Sequence, residues 1–217
     1  MAKDRIPRHI GVIPDGNRRW ARSRGMAPGL GYGAGLEVGF QMLEDCKALG
    51  IEEVSIYGFT HENTHRPTEQ KVAFTEACVA FAEEAIQRGT AVQVVGNTRS
   101  VAFPKALIPF AEARQGEGLR VNLLVNYGWE WDLREAIRNG ATAPKGTALP
   151  DLLGSRVASR IDLVIRWGGA QRLSGFLPVQ TTYADYTFPV ELWPDYQTPQ
   201  FHAALEWYAK QDVTLGG

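Results

Sequence analysis

Residues 9–21 read HIGVIPDGNRRWA, and this stretch decides the fold that we expect. Its opening residues HIGVI are largely apolar on both faces, which is typical of a parallel strand covered by helices on both sides of its sheet. At Asp15 and Gly16 the strand gives way to a helical segment. Because ligands bind beyond the carboxyl ends of the strands in open α/β sheets, we expect this exit to carry functional residues.

The rest of the chain repeats the alternation of strand and helix. Short runs rich in Val and Ile predict further strands, and apolar residues at helical spacing predict the helices between them. Gly50 and Gly89 end two of these helices, Thr68 begins the longer one, and Thr198 opens the last. The order predicts a three-layer α/β domain with a mainly parallel central sheet and helices on both faces. The predicted strands are residues 9–13, 54–59, 91–96, 120–128 and 161–169, and residues 139–150 are predicted to form a loop.

Length and charge set limits on the function. The chain has 217 residues, of which 44% are hydrophobic, so we expect residues 1–217 to form one domain. Lys and Arg together number 23 and Asp and Glu 24, which argues against bulk attraction to nucleic acid or to an anionic membrane. Any binding of anions must therefore be local.

The cysteine content and the N-terminal sequence indicate a cytoplasmic protein. Cys46 and Cys78 lie in helix-like apolar patterns, which fits reduced thiols in a core better than a disulfide framework. The first residues lack the apolar run of a signal peptide, and no segment has the apolar length needed to span a bilayer. We expect no transmembrane segment and no export.

The exit of the first strand combines a carboxylate with two arginines. Gly16 allows close backbone approach, while Arg18 and Arg19 offer planar donors suited to phosphate oxygens. Asp15 does not fit a site for anions alone, but it fits one in which a divalent cation such as Mg²⁺ bridges carboxylate and phosphate. The alternative is a capped turn with solvated arginines.

The exit of the fifth strand carries a second cationic group in RWGGAQRLSGF, residues 166–176. Arg166, Arg172 and Ser174 surround the turn at residues 168–169, so two arginine-bearing glycine turns suggest two anionic groups in one cleft. Dinucleotide binding is the alternative, since GLGYGAG at residues 29–35 is rich in glycine. That run does not follow a strand, so the expected context is missing.

The stretch HENTH, residues 61–65, fits the letters of the zinc-protease signature H-E-x-x-H. Zinc binding needs the two histidines one turn apart on a helix. Here the pentapeptide leaves a strand directly, and the residue before Pro67 disfavours helix. The pattern therefore argues against a zinc site.

Four segments resemble, in order, the signature segments of the cis-prenyltransferases, the undecaprenyl diphosphate synthase superfamily. They read HIGVIPDGNRRWA, YGFTHENTHRP, VNYGWEWD and DLVIRWGG…RLSGF. The resemblance implies Mg²⁺-dependent condensation of an allylic diphosphate with isopentenyl diphosphate. It also implies a homodimeric α/β fold with an apolar tunnel beside the sheet.

The resemblance also implies roles for single residues. Asp15 would be the Mg²⁺-linked carboxylate and Asn63 would assist proton removal. Asp185 stands where the family has a Glu near the metal, and it would be a second metal ligand. The implied contacts to the allylic diphosphate are Gly16, Asn17, Arg18 and Arg19, those to the second diphosphate are Arg166, Arg172 and Ser174, and further substrate-binding residues are Trp20, Thr60, His61, Glu62 and Arg66.

Departures from the family pattern bear on the substrates. Pro28 and Tyr32 stand where the family has an Arg and a His, Thr64 where long-chain members have a Trp, and Gln171 where the family has a His. These changes and the short chain argue for a short-chain synthase acting on dimethylallyl, geranyl or isopentenyl diphosphate.

The reaction type remains open between three readings. The segment PDGNRRW resembles the branching members that join allylic units head to middle into lavandulyl-type skeletons, and we prefer that reading. Regular cis head-to-tail elongation with isopentenyl diphosphate is the alternative. A non-catalytic partner subunit is disfavoured, because such subunits lose the first-motif Asp and the cleft arginines. Here Asp15, Arg19, Arg166 and Arg172 are all present.

Overall fold

The computed structural model describes residues 5–60 and 68–212. Six strands within this part of the chain form one sheet in the order β3-β4-β2-β1-β5-β6, and all neighbours are parallel. The predicted parallel sheet is confirmed. The strands are β1 (His9–Ile13), β2 (Glu53–Tyr57), β3 (Thr90–Val95), β4 (Leu119–Leu124), β5 (Leu163–Arg166) and β6 (Asp185–Thr187).

Seven α-helices connect and cover the strands of the described chain. Gly50 and Gly89 have φ values of 73° directly after two of them, which is the left-handed conformation expected at a helix end. The last helix begins at Thr198 with a capping box between Gln197 and Gln200. The helices are α1 (Asn17–Ser23), α2 (Leu30–Ala48), α3 (Thr68–Gln87), α4 (Ile108–Glu112), α5 (Trp129–Gly140), α6 (Leu149–Leu152) and α7 (Thr198–Ala209).

Two apolar layers lie on opposite faces of the sheet, because successive strand residues point to opposite sides. Ile10 and Val12 of β1 belong to the larger core with residues of α2, α3 and α7. Ile13 belongs to the smaller core, where Phe176 and Leu177 cover the other face. The three-layer arrangement is therefore confirmed.

The register of the central strands brings three chain exits together. Ile13 at the end of β1 lies opposite Arg166 at the end of β5, and β2 runs beside β1 on its other side. The segments that follow β1, β2 and β5 therefore all leave the sheet at the carboxyl ends of its strands. This end of the sheet carries the site described below.

The glycine-rich run at residues 29–35 lies at the start of α2, where it serves helix packing. A Cβ on Gly31 would lie 2.1 Å from the carbonyl oxygen of Asn17, and one on Gly35 would lie 2.3 Å from the Asn17 Oδ1. Only glycine permits α1 to approach α2 this closely. The dinucleotide alternative is not supported at this position.

A late segment of the chain covers the exit of β1. The Trp193 amide donates to the carbonyl oxygen of Asp15 at 3.0 Å, and the Gly168 amide donates to that of Glu191 at 2.7 Å. The indole Nε1 of Trp193 donates to the carbonyl oxygen of Gly35 at 2.8 Å. These bonds hold β1, α2 and the exit of β5 against residues 191–193.

Some element boundaries differ from the prediction. Strand β4 ends at Leu124 and not at residue 128, because Asn126 takes a φ of 51° and turns the chain away. The predicted loop at 139–150 begins inside α5 and ends inside α6. Strand β6 was not predicted, since it has only three half-buried residues at the sheet edge. Among the described helices, none is long and apolar enough to cross a membrane.

Candidate active site

A cleft of about 820 Å³ opens at the carboxyl edge of the central strands. It is bounded by the exits of β1, β2 and β5, together with α1 and the starts of α2, α3 and α5. This is the position at which open α/β sheets bind ligands. The lining residues with polar or aromatic side chains are Asp15, Asn17, Arg18, Arg19, Arg22, Tyr32, Tyr57, Thr60, Phe74, Trp129, Arg166, Arg172 and Ser174.

Arg166 organises the base of the cleft. Its guanidinium donates to the Asp15 Oδ2 at 2.8 Å, to the Ser174 Oγ at 3.0 Å and to the carbonyl oxygen of Arg172 at 2.5 Å. The Arg166 side chain is only 5% exposed, and its Nε has no hydrogen-bond partner within the described structure. A buried cation with an unused donor fits an anion bound beside it.

Arg19 fixes the other side of Asp15. Its guanidinium lies 3.4 Å from the Asp15 Oδ1 and donates to the carbonyl oxygen of Gly168 at 3.1 Å. Gly168 has a φ of 84°, and a Cβ there would lie 2.4 Å from the Arg19 guanidinium. The positive φ at Gly168 favours glycine, and this turn lies where the two arginine-bearing exits meet.

Three further arginines of the cleft have no carboxylate within 4.0 Å in residues 5–60 and 68–212. They are Arg18, Arg22 and Arg172. Among the described lining residues, Arg19 and Arg166 bring the arginines to five against one carboxylate, Asp15, so their summed charge is +4 on a chain whose net charge is −1. We therefore expect anions to bind locally at this cleft, because its enclosing walls concentrate the electric field of the arginines.

A second polar cleft, on the other side of Trp129, differs from the first in how its arginines are paired. It also contains arginines, but each lies against a glutamate: Arg99 and Arg138 contact Glu135, and Arg134 contacts Glu130. Their charges are compensated within the protein. Of the two clefts, the first is therefore the one that contains described arginines without a carboxylate partner.

An apolar pocket opens from the cleft on the side of α1, α2 and α3. It shares Asn17, Tyr32 and Phe74 with the cleft and continues between the helices and the sheet toward Phe81 and Trp193. Its volume is about 70 Å³, which is room for about five water-sized groups. Cys78 also lines it, and burial raises the pKa of this thiol to about 12, so the wall carries no charge there.

The end of the apolar pocket is closed by stacked aromatic rings. Phe81 stacks on Phe40 with ring centroids 5.3 Å apart, and Tyr32 stacks on Phe74 at 4.5 Å nearer the cleft. A Cβ on Gly39 would lie 3.3 Å from the Phe81 ring, so the glycine gives that ring its space. The pocket is therefore short and well packed at its inner end.

The donors at the cleft fit a Mg²⁺ ion that arrives with phosphate. Asp15 is one-third exposed and faces the cleft, and Mg²⁺ commonly binds one or two carboxylates together with substrate phosphates. Among the described residues no group of three or more His, Cys, Asp or Glu side chains converges on one point. A metal bound by protein ligands alone is not supported in that part of the chain.

Asp185 does not line the described cleft, and its role as a second metal ligand stays a prediction. It begins β6, pairs in register with Leu163 at the start of β5, and lies 3.7 Å from Arg5. That register places it level with Ile10, about 15 Å back along the sheet from Asp15 at the strand rise of parallel sheets. Because all strands are parallel, Asp185 lies at the amino ends of the strands and Asp15 lies beyond their carboxyl ends.

The other predicted site residues divide into three groups. Gly16, Asn17 and Thr60 line the cleft with the arginines already described. Trp20 does not line it, because its indole donates to Asp195 at 2.7 Å and stacks under Arg24, so this substrate-binding prediction is not supported. The HENTH stretch lies outside the described residues, and with it the predicted residues His61, Glu62, Asn63 and Arg66.

The sequence missed several residues of the cleft and pocket. Arg22 could have been found from its spacing, since it lies four residues after Arg18 on α1 and so shares its face. Tyr57 and Phe74 come from different elements, and no local pattern marks them as neighbours. Trp129 lies in the third signature segment, which assigned it no role, and it is 42% exposed and lines the cleft.

Comparison with known proteins identifies the family. Residues 13–216 match the family model described as "Putative undecaprenyl diphosphate synthase". The chain belongs to this family, the cis-prenyltransferases. It is a prenyltransferase, an enzyme of isoprenoid biosynthesis, and Mg²⁺ dependence and homodimers are typical of the family.

Individual relatives cover nearly the whole chain. An isoprenyl transferase from Clostridium perfringens is 30% identical over 100% of this chain and 92% of its own length. A ditrans,polycis-undecaprenyl-diphosphate synthase, (2E,6E)-farnesyl-diphosphate specific, from Escherichia coli K12 is 30% identical over 97% and 90%. Lavandulyl diphosphate synthase from Lavandula x intermedia, solved with dimethylallyl diphosphate, has the same fold with a TM-score of 0.85 at 24% identity over 98% and 99%. This likeness confirms the cis-prenyltransferase fold.

Proposed function

We propose that this cis-prenyltransferase is a short-chain isoprenyl diphosphate synthase that joins two small prenyl diphosphates. The observation that carries the proposal is the junction of two environments: a cleft whose described lining residues carry a charge of +4 opens directly into an apolar pocket of about 70 Å³. The cleft suits diphosphates and the pocket suits a short hydrocarbon tail. A tail as long as the undecaprenyl chain named for the relatives would not fit this pocket.

The chemistry follows from where charge develops. As the C–O bond of the allylic diphosphate breaks, the leaving oxygen gains negative charge and the allylic carbon gains positive charge. Arg18, Arg19 and Arg166 stabilise the leaving diphosphate. The π electrons of the second substrate then form the new C–C bond, and a proton leaves the resulting cation.

The walls around the reacting carbon exclude water. Tyr32, Tyr57 and Phe74 border both the cleft and the pocket, so the carbon joined to the diphosphate lies beside aromatic rings. Water would capture the cation, and a dry wall prevents that side reaction. Asn63 remains our proposed residue for proton removal, as the sequence resemblance implies.

Asp15 would hold a Mg²⁺ ion shared with diphosphate oxygens, and the ion when bound would neutralise charge on the leaving group. Arg19 and Arg166 keep the Asp15 carboxylate at the cleft by contacts at 3.4 and 2.8 Å. Arg172 and Ser174 lie on the loop after β5, and we assign them to the second diphosphate.

For the reaction type we prefer irregular head-to-middle condensation of the lavandulyl type. Pro14 and Arg18 in PDGNRRW support this preference, and the small pocket suits short tails. The alternative is regular cis elongation, in which isopentenyl diphosphate is the only nucleophile. We also propose a homodimer, as is typical of the family.

The test is product analysis. Purified protein is incubated with Mg²⁺ and pairs of dimethylallyl, geranyl, farnesyl and isopentenyl diphosphate, and the alcohols released by phosphatase are identified. We expect a branched ten-carbon alcohol from dimethylallyl diphosphate alone. A short linear cis product that requires isopentenyl diphosphate would support the alternative, and a long linear polyprenol would overturn the short-chain proposal.

A further inference from the structure

We propose that Arg22 binds the diphosphate of the substrate whose tail occupies the apolar pocket, and so sets the affinity for that substrate. The inference rests on the proposed function and assigns a residue that no motif indicated. It concerns the choice between the two diphosphate positions of the cleft. The argument uses the placement of Arg22, its lack of a carboxylate partner, and the neighbouring walls.

Arg22 lies on the cleft face of α1. It follows Arg18 by four residues, a spacing that places two helical side chains on the same face. Both line the cleft. Arg24, two residues further on, lies outside it, where it contacts Asp195 at 3.0 Å and the Trp20 ring at 4.1 Å.

Arg22 carries a charge that the described protein does not compensate. No carboxylate lies within 4.0 Å of it in residues 5–60 or 68–212, whereas Arg19, Arg24 and Arg166 each contact an aspartate. Asp15 is the single carboxylate among the described lining residues, and two other arginines already hold it. A diphosphate in the cleft would supply the missing negative charge.

The neighbours of α1 indicate which diphosphate Arg22 contacts. Asn17 of α1 borders the apolar pocket, together with Tyr32 of α2 and Phe74 of α3. Arg172 and Ser174 come instead from the loop after β5. A substrate with its tail in the pocket therefore places its diphosphate next to α1.

α1 is also the cationic wall on this side of the cleft. The described side chains that α2 and α3 contribute to the lining are Tyr32 and Phe74, which stack in parallel at 4.5 Å. Neither ring can neutralise a diphosphate. Among the described residues, Arg18 and Arg22 are the cleft-lining cations of α1 that have no carboxylate within 4.0 Å, so Arg22 acts together with Arg18.

The test compares Arg22→Gln with Arg24→Gln, which removes the same charge two residues away and outside the cleft. Binding of geranyl diphosphate and of isopentenyl diphosphate is measured without metal by isothermal titration calorimetry. We expect Arg22→Gln to weaken the binding of geranyl diphosphate about tenfold, which is about the effect of losing one charge-assisted contact. The binding of isopentenyl diphosphate should weaken less than about twofold. Arg22→Lys should fall between, because it keeps the charge and loses the planar fork.

Steady-state kinetics provides the second readout. With a productive substrate pair, Arg22→Gln should raise KM for the allylic substrate and change kcat little, while Arg24→Gln should change neither. Equal weakening of both diphosphates, or unchanged binding of geranyl diphosphate in Arg22→Gln, would overturn the inference. Absence of turnover in the unaltered enzyme would overturn the proposed function instead, and the calorimetry would still decide the role of Arg22.

Discussion

Asp15 is held by two cations and still faces the cleft. Its carboxylate lies between Arg166, which is buried, and Arg19, which is half exposed. The pair of contacts prevents the carboxylate from rotating toward solvent. At this scale the sequence was informative, because the tripeptide Asp15-Gly16-Asn17 and its arginines follow one strand directly and can be read as one local unit.

We predict that Asp15→Asn lowers kcat/KM by about 100-fold or more, the size of effect seen when one preorganised charge is lost from an active site. Asn keeps the shape and removes the charge that a Mg²⁺ ion needs. Steady-state kinetics at several Mg²⁺ concentrations would measure the loss, which added Mg²⁺ should not restore.

The matched control is Asp195→Asn. Asp195 accepts from Trp20 and Arg24 outside the cleft, so the same chemical change should alter kcat/KM less than threefold, within the range of about 0.5 kcal/mol usual for surface sites. If Asp15→Asn proved as active as Asp195→Asn, the metal-linked role of Asp15 would be wrong.

At the scale of elements, the close packing of α2 against α1 determines which residues of α2 must be glycine. Gly31 and Gly35 face α1, whereas Gly33 faces outward, and a Cβ on Gly33 would meet nothing within 4 Å. The same helix thus contains two glycines that its packing requires and a third, Gly33, that its packing does not require. Sequence alone could not separate them, because the partner helix comes from another part of the chain.

We predict that Gly31→Ala lowers the free energy of unfolding by about 1–3 kcal/mol, the usual cost of overpacking. The new methyl group would lie 2.1 Å from the carbonyl oxygen of Asn17, so α1 and its arginines must shift. Urea denaturation would measure the loss, and kcat should fall as well.

Gly33→Ala provides the comparison within the same helix. It should raise the free energy of unfolding by up to about 1 kcal/mol, because alanine has the higher helix propensity. Equal effects of the two substitutions would contradict the close approach of α1 to α2.

Under the proposed function, the inner end of the apolar pocket limits the length of the product. We predict that Phe81→Ala shifts the products toward longer chains, since Phe81 closes the pocket behind Cys78. The substitution should also lower the free energy of unfolding by about 3–5 kcal/mol. Chromatography of the dephosphorylated products would show the shift, which does not depend on the fraction of folded enzyme.

The Phe201→Ala variant is the control that distinguishes an effect on the pocket from a general loss of packing. Phe201 is fully buried in the same core but does not line the pocket. It should cost similar stability and leave the product length unchanged. A shift of products in both variants would point to a loosened core.

At the scale of the whole molecule, a buried polar cluster lies at the edge of the sheet opposite the cleft. The His9 ring contacts Ser159 at 3.0 Å and Ser55 at 2.9 Å, and Glu53 lies 3.8 Å away. Burial lowers the pKa of His9 below its ordinary value of 6.5, although Glu53 opposes that shift. Burial alone would raise the pKa of Glu53, but His9 and hydrogen bonds from Asn122 and Ser159 hold it below its ordinary value.

We predict that the free energy of unfolding falls as pH drops below about 6.5, because His9 takes up a proton in the unfolded chain before the folded chain does. The slope can reach about 1.4 kcal/mol per pH unit for one proton. Glu53 adds a further loss below pH 4.5, since its folded pKa is also lowered. Urea denaturation at a series of pH values would measure the profile.

His9→Gln should flatten the step below about pH 6.5. His202→Gln should leave it in place, because His202 is exposed on α7. An unchanged profile in His9→Gln would assign the acid sensitivity to other groups.

The sequence predicted the parallel sheet because its strands are apolar on both faces, and it predicted the cleft because ligand sites follow strand ends. It failed where placement depends on distant partners. The motif around Asp185 did not indicate that this residue begins β6, level with the start of β5 and away from Asp15. Tyr57 and Phe74 meet at the pocket mouth through tertiary packing, which no spacing of residues records.

The bond from the Trp193 amide to Asp15 bears on how the enzyme comes into being during translation. Trp193 leaves the ribosome about 180 residues after Asp15, a separation that makes this a slow, non-local contact. A nascent chain can therefore build most of its sheet while the exit of β1 stays uncovered. The exits of β1 and β5 gain these contacts only after residues 191–193 have been synthesised, so we expect a nascent chain without them to bind prenyl diphosphates poorly.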